Sequence, residues 1–377
     1  MWRALGRAIR DWRNARLVDP IFQRRLAAFP LTRPIVRREA AALFDVVAGF
    51  VYTQTLLACV RLGVLQALRA GPRDEAALYA TAIQGVEPIT REDFAMLLRA
   101  GAALDLFEHD DENLWALGLR GAALLGNPGV LAMIEHHAVL YRDLVDPLAM
   151  LRAAPGTTAL ANYWPYAAAA APGSLERPAA TAYTALMSAS QSLVADEILD
   201  AWPMRGRCKL LDVGGGDGTF LRAAGGRHSA MQLMLFDLPA VIAIARERFM
   251  AAGMSARAEF FGGDFTADML PRGADVVSFV RVLHDHDDAT VARLLLAAHD
   301  ALPRGGDLLI AEPLADTAGA RRMGDAYFGL YLRAMGRGRP RRREELARML
   351  RVAGFGPPRE WPTRVPLQVR VLTAERR

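Results

Sequence analysis

The stretch with the clearest potential for binding chemistry runs from residue 209 to residue 218, with the sequence KLLDVGGGDG. Its apolar first half ends abruptly in glycines. A strand that breaks into glycine before a helix leaves backbone N–H groups exposed, and a ligand can approach them because no Cβ intervenes. Asp237 ends a second apolar run about 20 residues later, where a carboxylate takes up both hydroxyls of a ribose. The spacing therefore predicts a cofactor that carries a nucleoside.

Other polar residues also follow predicted strands, at the points where those strands end. The apolar runs that predict these strands are 210–213, 233–236, 258–261, 276–283 and 308–311. Intervening helical segments such as 240–252 and 289–302 make this a parallel sheet with helices on both faces. Ligands bind at the carboxyl ends of such strands. We therefore expect a site built from Asp212, Asp237, Asp264, Phe265, Arg281, His284 and Glu312.

His284 is the candidate general base of this site. An imidazole has a pKa near neutrality, so it can accept a proton while a carboxylate positions it. Glu312, on the neighbouring predicted strand, is expected to orient the ring through its other nitrogen. The alternative is that residues 285–288 only cap the next helix and that His284 is solvated.

The first half of the chain reads as helical, in contrast to the half that follows residue 209. Helices are predicted at 56–68, 74–81 and 91–104, and a β-hairpin joins 106–108 to 114–117. Three helices followed by a hairpin form a winged-helix-like unit. Since residues 71–117 carry no dense basic face, we expect dimerisation or a lid function rather than nucleic-acid binding. Near the C-terminus, residues 367–372 predict a terminal strand.

Residues 1–40 contain ten arginines, interleaved with Trp2, Leu5, Ile9, Trp12 and other apolar residues. This alternation predicts a basic amphipathic helix, which either lies on an anionic membrane or packs on its own domain or a partner subunit. The apolar stretch 44–60 is short for a membrane-spanning helix, so a buried or dimer-interface helix is expected. We therefore divide the chain into an extension (1–40), a helical domain (41–180) and a cofactor domain (181–377).

The composition favours a cytosolic protein. Hydrophobic residues make up 52% of the chain, enough for a packed core, and the two cysteines, Cys59 and Cys208, lie far apart. Widely spaced cysteines indicate reduced thiols rather than a disulfide scaffold. No C-x-x-C pair is present, and the pair His136-His137 lacks a third ligand, so no metal site is expected.

Five motifs in this order resemble the S-adenosylmethionine-dependent O-methyltransferases of the caffeate and acetylserotonin type. They are residues 209–218, 236–239 (FDLP), 263–265 (GDF), 282–285 (VLHD) and 302–306 (LPRGG). The resemblance implies a Rossmann-like cofactor domain behind a dimerisation domain, with His284 as base and Glu312 as its support. It assigns S-adenosylmethionine to Asp212, Gly214, Gly215, Gly216, Asp237, Leu238, Asp264, Phe265 and Arg281. The chain departs from the pattern at His286, where the family commonly has an aromatic residue, and at the displaced Arg281.

A narrower resemblance, to the carotenoid O-methyltransferases of purple bacteria, lies in the segments 29–34, 48–52, 58–62 and 162–166. It implies methylation of the tertiary 1-hydroxyl of acyclic carotenoids such as demethylspheroidene and hydroxyneurosporene. A long polyene needs an apolar path, for which we single out His136, Tyr141, Tyr163, Trp164 and Met187. A substrate held in lipid would give the basic N-terminal helix a purpose at the inner membrane.

The sequence leaves other functions open. A small phenol or polyketide would use the same base, and C-methylation of a tetrapyrrole would change the base requirement. A winged-helix regulator that senses the cofactor would need a denser basic face. A dehydrogenase is disfavoured because Thr219 stands where a third glycine of G-x-G-x-x-G would fall. The run 337–343, with five arginines, is equally open to interpretation as a solvated loop, a membrane patch or a lid hinge.

Overall fold

The computed structural model describes residues 2–85, 87–164, 187–188, 191 and 193–377. The chain forms two compact units, residues 1–126 and residues 127–377. The boundary predicted between residues 180 and 181 lies outside the described residues.

The N-terminal arginine-rich region consists of separate helices, so the prediction of one amphipathic helix over residues 1–40 is wrong. Helix α1 spans Trp2–Leu17, α2 spans Pro20–Ala28 and α3 spans Arg33–Arg61. The first break has a clear cause, because Pro20 lacks an N–H and the Asp19 side chain caps α2 by accepting from the Ile21 N–H at 2.8 Å. The second break, residues 29–32, contains Pro30.

Helix α3 is longer and more exposed than the sequence predicts. Only Leu57 and Cys59 are buried in it, so the stretch 44–60 is not a buried helix of its own chain. By length and composition alone its 29 residues would suffice to cross a membrane, with a mean hydropathy of 1.7 and 11% of the apolar stretch buried. The middle of α3 exposes an apolar band formed by Leu43, Phe44, Val46, Val47, Phe50 and Val51.

The remainder of the first unit has the winged-helix arrangement that was predicted. It contains α4 (Val64–Leu68), α5 (Glu75–Ala82), α6 (Arg91–Ala103), β1 (Phe107–His109), β2 (Trp115–Leu117) and α7 (Leu119–Leu125). Strands β1 and β2 pair antiparallel, and Arg73 extends the pairing through a backbone bridge to Trp115. The helix predicted over 56–68 is in fact split between α3 and α4, because Gly63 adopts a left-handed conformation with φ +65°.

The second unit opens with α8 (Pro128–Leu144), α9 (Pro147–Arg152) and α10 (Ala159–Tyr163), followed by a described helical segment at 193–201. The later helices are α11 (Thr219–Arg227), α12 (Pro239–Ala251), α13 (Asp288–Ala301), α14 (Phe328–Met335) and α15 (Arg343–Val352). A π-helical turn, Arg322–Tyr327, leads directly into α14.

Within the described residues, seven strands form one sheet in the second unit. They are β3 (Lys209–Val213), β4 (Gln232–Asp237), β5 (Ala258–Gly262), β6 (Val276–Val280), β7 (Asp307–Glu312), β8 (Arg359–Trp361) and β9 (Arg370–Glu375). Their order is β5-β4-β3-β6-β7-β9-β8, with β3 to β7 parallel and β8 and β9 antiparallel. The order reverses between β3 and β6, where an open α/β sheet leaves a crevice at its carboxyl edge.

Helices cover both faces of this sheet, as the alternation of strands and helices predicts. Successive residues of β3 belong to the hydrophobic clusters on opposite faces of the sheet. Leu211 belongs to the cluster with α13 and α15, and Leu210 to the cluster with α11 and the helical segment 193–201. This period of two follows from the pleat of a strand.

Two strand predictions need correction. The strand predicted over 276–283 ends at Val280, because the N–H groups of Val282 and Leu283 donate to the Glu312 side chain and not to the backbone of β7. The terminal strand predicted over 367–372 is shifted to Arg370–Glu375, where it pairs antiparallel with β7 from Glu312↔Arg370 to Asp307↔Glu375. Its neighbour β8 was not predicted, since three residues give no clear periodicity.

Candidate active site

The glycine turn lies at the carboxyl end of β3, directly beside the end of β4. Gly216 donates its backbone N–H to Asp237 Oδ2 at 2.8 Å, and the Leu238 N–H donates to Asp237 Oδ1 at 2.7 Å. Each carboxylate oxygen keeps a second lone pair for a ligand. At Gly216 φ is +62° and a Cβ would meet no atom within 4 Å, so the backbone borders open space. This geometry fits a ribose held against the turn.

Asp212 lies beneath the turn rather than beside a ligand. It is fully buried, its Oδ1 accepts from Ser278 Oγ at 2.6 Å, and burial raises the pKa of Asp212 to about 7. A Cβ at residue 215 would lie 2.3 Å from Asp212 Oδ2, so only glycine allows the turn to approach this carboxyl. Asp212 therefore shapes the turn, and it is the predicted cofactor residue that the cavity wall does not include.

An open cavity of about 920 Å³, including its mouth, extends from the glycine turn to the end of β6. The structure brings the other predicted cofactor residues together on its wall: Gly214, Gly215, Gly216, Asp237, Leu238, Asp264, Phe265 and Arg281. Sequence reasoning missed further wall residues, including Ser188, Gln191, Asp217, Thr266, Val280 and Val282.

His284 lies in a single 3₁₀ turn, Leu283–Asp285, that follows β6. Its side chain is only 7% exposed, so the interpretation of a solvated histidine is wrong. Glu312, the last residue of β7, makes an ion pair with Nδ1 of the ring. Nε2 lies 3.0 Å from Asp285 Oδ1. The imidazole therefore contacts two carboxylates. The contact with Glu312 was predicted from the sequence, whereas the contact with Asp285 was not.

The charges around His284 favour its protonated form. Burial alone would lower the pKa of His284, but Glu312 and Asp285 outweigh it and raise the pKa to about 10. The neighbouring His286 behaves in the opposite way, since burial lowers its pKa. His286 lies on the cavity wall with its ring edge-on to Phe265, at a centroid distance of 5.3 Å. It therefore occupies the wall position at which the family commonly has an aromatic residue.

Arg341, which lies between α14 and α15 in the sequence, stabilises the turn that carries His284. Its guanidinium donates to the carbonyls of Leu283 at 2.8 Å and His286 at 2.7 Å, and pairs with Asp288 at 2.8 Å. The side chain is 2% exposed. This overturns any reading of the whole 337–343 run as a solvated or membrane-facing patch. Only the charge run was visible in the sequence, which does not show which arginine is buried.

Gly338 is a second residue of that run with a role at the turn. A Cβ at this position would lie 2.4 Å from the carbonyl oxygen of His284 and 2.8 Å from the Cα of Asp285. The backbone of residue 338 therefore passes so close to the turn that a side chain would displace it. In the sequence, the one signal of this close backbone approach was that a glycine, Gly338, stands between arginines.

The predicted substrate residues divide into two groups. Met187 lies on the cavity wall, whereas His136, Tyr141, Tyr163 and Trp164 do not. His136 is buried on α8, where it bonds to the Tyr331 hydroxyl at 2.8 Å. Its ring centroid lies 4.5 Å from that of Tyr163 and 5.3 Å from that of Trp164. Burial lowers the pKa of His136 to about 4, so the ring is neutral at physiological pH. Tyr141 is half-buried on the same helix.

Helix α14 connects this aromatic cluster to His284. Tyr331 and Tyr327 stack at 5.6 Å, and Phe328 lies 5.9 Å from the imidazole of His284. The Tyr327 hydroxyl bonds to His137 Nε2 at 2.7 Å. In the described part of the chain, no group of three or more His, Cys, Asp or Glu residues is arranged to hold a metal ion.

Comparison with known proteins gives a consistent result. Residues 165–356 match the O-methyltransferase domain family. A demethylspheroidene O-methyltransferase of Cereibacter sphaeroides is 44% identical over 350 residues, which is 92% of this chain and 90% of the relative. Its namesake in Rhodobacter capsulatus is 41% identical over 94% of this chain and 86% of the relative.

Solved structures agree on the fold. Mitomycin 7-O-methyltransferase superposes with a TM-score of 0.73 at 25% identity, covering 91% of this chain and all of the other. Human N-acetylserotonin methyltransferase, solved in complex with S-adenosylmethionine, gives a TM-score of 0.72 at 22% identity, covering 90% and 97%.

Asp237→Asn is expected to weaken the binding of S-adenosylmethionine about 10- to 150-fold, because hydrogen bonds to a charged acceptor contribute about 1.5–3 kcal/mol. Isothermal titration calorimetry measures this, with Asp300→Asn, an exposed carboxylate on α13, as the matched control. Burial raises the pKa of Asp237 to about 6, so wild-type affinity should fall as the pH drops through 6 and the carboxyl is protonated. Equal dissociation constants at pH 5 and pH 8 would contradict the assignment.

Arg341→Ala is expected to lower the free energy of unfolding by about 2–4 kcal/mol, because it leaves the carbonyls of Leu283 and His286 without their charged donor. Arg339→Ala is the control, since Arg339 pairs with the same Asp288 but is 40% exposed. Its loss should cost less than about 1 kcal/mol. Urea denaturation compares the two, and equal losses would show that Arg341 does not clamp the turn.

Proposed function

Because this chain belongs to the S-adenosylmethionine-dependent O-methyltransferase family, we propose that it methylates the tertiary 1-hydroxyl of an acyclic carotenoid of the demethylspheroidene or hydroxyneurosporene type. The observation that carries the substrate is the 44% identity, over nearly the whole length, to an enzyme named for demethylspheroidene. The alternative, a small phenol or polyketide, is less favoured because the relatives that suggest it are more distant.

Different residues of the cavity wall are assigned to different parts of the cofactor. S-adenosylmethionine, when bound, supplies an electrophilic methyl group on a sulfonium cation. We assign the ribose to Asp237, the adenine to Asp264 and Phe265, and the remainder to the backbone of the glycine turn. Asp264 Oδ1 already accepts from Thr266, through its N–H at 2.8 Å and its hydroxyl at 2.6 Å, which fixes the carboxylate in place.

We assign the chemistry to the turn that carries His284, with Glu312 as the group that holds the ring. A tertiary alcohol is a very weak acid, so the protein cannot deprotonate it fully before methyl transfer. Orientation of the hydroxyl in line with the methyl group then provides most of the rate acceleration. Helix α14 contributes Phe328 beside the imidazole, which gives the reacting end an apolar wall.

A polyene also needs an apolar surface beyond the reacting hydroxyl. Met187, on the cavity wall, is the residue we place nearest that hydroxyl. We propose that the cluster around His136, with Tyr141, Tyr163 and Trp164, borders the path of the chain. The neutral state of His136 supports this, because a charged imidazole would oppose an apolar ligand.

The substrate is tested by methyl transfer from radiolabelled S-adenosylmethionine, with 1-hydroxy carotenoids in membrane vesicles beside a panel of soluble phenols. We expect label in the carotenoid fraction at a rate at least tenfold above that for any phenol. A boiled enzyme and a carotenoid that lacks the hydroxyl are the controls. Label that enters only phenols would refute the carotenoid substrate and leave the methyltransferase activity intact.

We further propose that α1 attaches this cytoplasmic enzyme to the surface of the inner membrane that holds its substrate. Trp2, Leu5, Ile9 and Trp12 recur at helical spacing, and all four side chains are more than half exposed. The arginines of α1 complement anionic lipid headgroups, while the apolar face enters the boundary of the acyl chains. Every residue from 4 to 20 is exposed.

Flotation with vesicles measures this attachment. Arg7→Gln with Arg10→Gln removes two charges worth about 1 kcal/mol each near an anionic surface, so partitioning should fall about 30-fold on phosphatidylglycerol vesicles. Arg7→Lys with Arg10→Lys keeps the charge and should bind as wild type does. Equal binding to neutral phosphatidylcholine vesicles, or no effect of the glutamines, would refute the proposal.

We propose that a second copy of the chain covers the exposed apolar band of α3. Asp45 lies within this band, and a carboxylate in the interior of a bilayer is costly, which favours a protein partner over lipid. Light scattering should give a dimer for the wild type and 41.1 kDa for Phe50→Asp, whereas Val352→Asp, an exposed apolar residue of α15, should stay dimeric. A monomeric wild type would contradict the assignment.

A further inference from the structure

We propose that the corner between α8 and α9, residues 142–152, inserts into the surface of a lipid bilayer and is the route by which the catalytic unit receives its substrate. This inference deepens the proposed function, on which it rests, because it concerns how a carotenoid dissolved in lipid reaches the cavity. It is separate from the attachment by α1, since the corner belongs to the unit that contains the cavity.

The corner exposes large apolar side chains in close succession. Val145, in the link between the two helices, is 86% exposed, and Leu148 and Leu151 on α9 are 58% and 46% exposed. Pro147 and Ala149 are exposed as well. Single exposed apolar residues are ordinary on a protein surface, but a contiguous group of them marks a surface that binds a partner or a membrane.

Arginines flank this apolar group on both sides in the sequence. Arg142 near the end of α8 and Arg152 at the end of α9 are exposed, and neither forms an ion pair with a residue that the structure describes. The neighbouring carboxylates already serve as helix caps. Asp143 accepts from the first two N–H groups of α10 at 2.8 and 2.9 Å, and Asp146 accepts from two N–H groups of α9 at 3.1 and 2.9 Å. Both arginines therefore remain available for anionic lipid headgroups.

This combination fits the boundary between headgroups and acyl chains better than it fits a second copy of the chain. Apolar side chains enter that boundary by about 5–10 Å, while long arginine side chains reach back to the phosphates. At this depth Asp146 stays among the headgroups, and its two hydrogen bonds lower the cost of removing it from water. A two-fold interface would instead pair the corner with itself and bring the arginines of both copies together.

Beneath the corner, one hydrophobic cluster leads towards the cavity. Met150, the buried residue of α9, is 3% exposed and belongs to the same cluster as Trp164. That cluster also includes Met187, which lies on the cavity wall, and Phe328, whose ring lies 5.9 Å from that of His284. Apolar side chains therefore connect the exposed corner with the wall of the cavity.

Helix α14 fixes the corner relative to the site. The Arg333 guanidinium donates to the carbonyls of Leu151 at 2.9 Å and Ala153 at 2.7 Å, which lie at the C-terminal end of α9. The same helix carries Phe328. Insertion of the corner therefore places the cavity at a set distance from the bilayer surface, which suits the capture of a substrate that is held in lipid.

Flotation with phosphatidylglycerol vesicles tests the contact, in the double-glutamine variant of α1 so that the contribution of α1 is small. Val145→Ser with Leu148→Ser should lower partitioning about tenfold or more, because burial of each side chain contributes at least that much. Met250→Ser with Val352→Ser is the matched control, since it removes two exposed apolar side chains of α12 and α15. A background that no longer binds, or undiminished partitioning of the serine variant of the corner, would overturn the proposal.

The two arginines are tested on the same vesicles. Arg142→Gln with Arg152→Gln should lower partitioning about 30-fold on phosphatidylglycerol and leave it unchanged on neutral phosphatidylcholine. Arg142→Lys with Arg152→Lys keeps the charge and should partition as the unsubstituted corner does. Equal partitioning of the glutamine and lysine variants would show that the corner does not face anionic headgroups.

Kinetics provide a readout that a merely structural role would not reproduce. For a 1-hydroxy carotenoid in vesicles, Val145→Ser with Leu148→Ser should raise KM about tenfold and leave kcat unchanged, since neither residue lies on the cavity wall. Calorimetric binding of S-adenosylmethionine should also be unchanged. A fall in kcat at constant KM, or conversion of a dimer to a monomer in light scattering, would make the corner a structural or protein-binding element and overturn the proposal.

The outcomes distinguish this inference from the proposed function. A wild type that methylates no carotenoid, while the serine variant still loses partitioning, refutes the substrate and leaves the membrane contact standing. A wild type that methylates the carotenoid from vesicles, while the serine variant keeps both its partitioning and its KM, refutes the contact and leaves the substrate standing.

Discussion

The arrangement of the site depends on the buried carboxylate of Glu312. Its Oε1 accepts from the N–H groups of Val282 at 3.0 Å and Leu283 at 2.7 Å, while its Oε2 meets the ring of His284. Without this carboxylate, these two N–H groups of the turn would be buried without partners. One side chain at the end of β7 therefore ends β6, sets the course of the turn and fixes the imidazole.

A buried carboxylate is tolerable only when its charge is compensated. The compensation comes from His284, whose protonated ring lies between Glu312 and Asp285, and from Arg341, which clasps the carbonyls of the same turn. Arg341 arrives from the segment between α14 and α15, so these helices are tied to the sheet through the turn.

The cavity next to this cluster is rich in carboxylates. Asp217, Asp237, Asp264 and Asp285 line it, against the single described cation Arg281. Such a wall suits a cofactor with a sulfonium cation, and the low dielectric of a half-enclosed site strengthens the attraction. Removal from water raises the pKa of Asp237, although the N–H groups of Gly216 and Leu238 favour the charged carboxylate.

Local sequence determines the strands of the parallel sheet, the glycine turn and the winged-helix unit of this protein. The strands of the parallel sheet are apolar runs buried on both faces, so they stand out without any knowledge of their neighbours. The glycine turn and Asp237 follow such runs directly, and Glu312 was expected beside His284 because parallel strands end at one edge. The winged-helix unit was equally visible, because its helices and hairpin rest on local periodicity and turn residues.

Only the tertiary structure decided which side chains of these segments face one another. For Asp285 the sequence left open whether it only caps the next helix, and for the run that contains Gly338 and Arg341 it left three interpretations open, because burial and partners far along the chain leave no local pattern. The helix breaks at Pro20 and Gly63 show a second reason why sequence patterns mislead, since a single residue there ends a helix that the hydrophobic periodicity would continue. Sequence specifies elements through short-range preferences. The protonation of His284, in contrast, results from carboxylates that only folding brings to its two nitrogens.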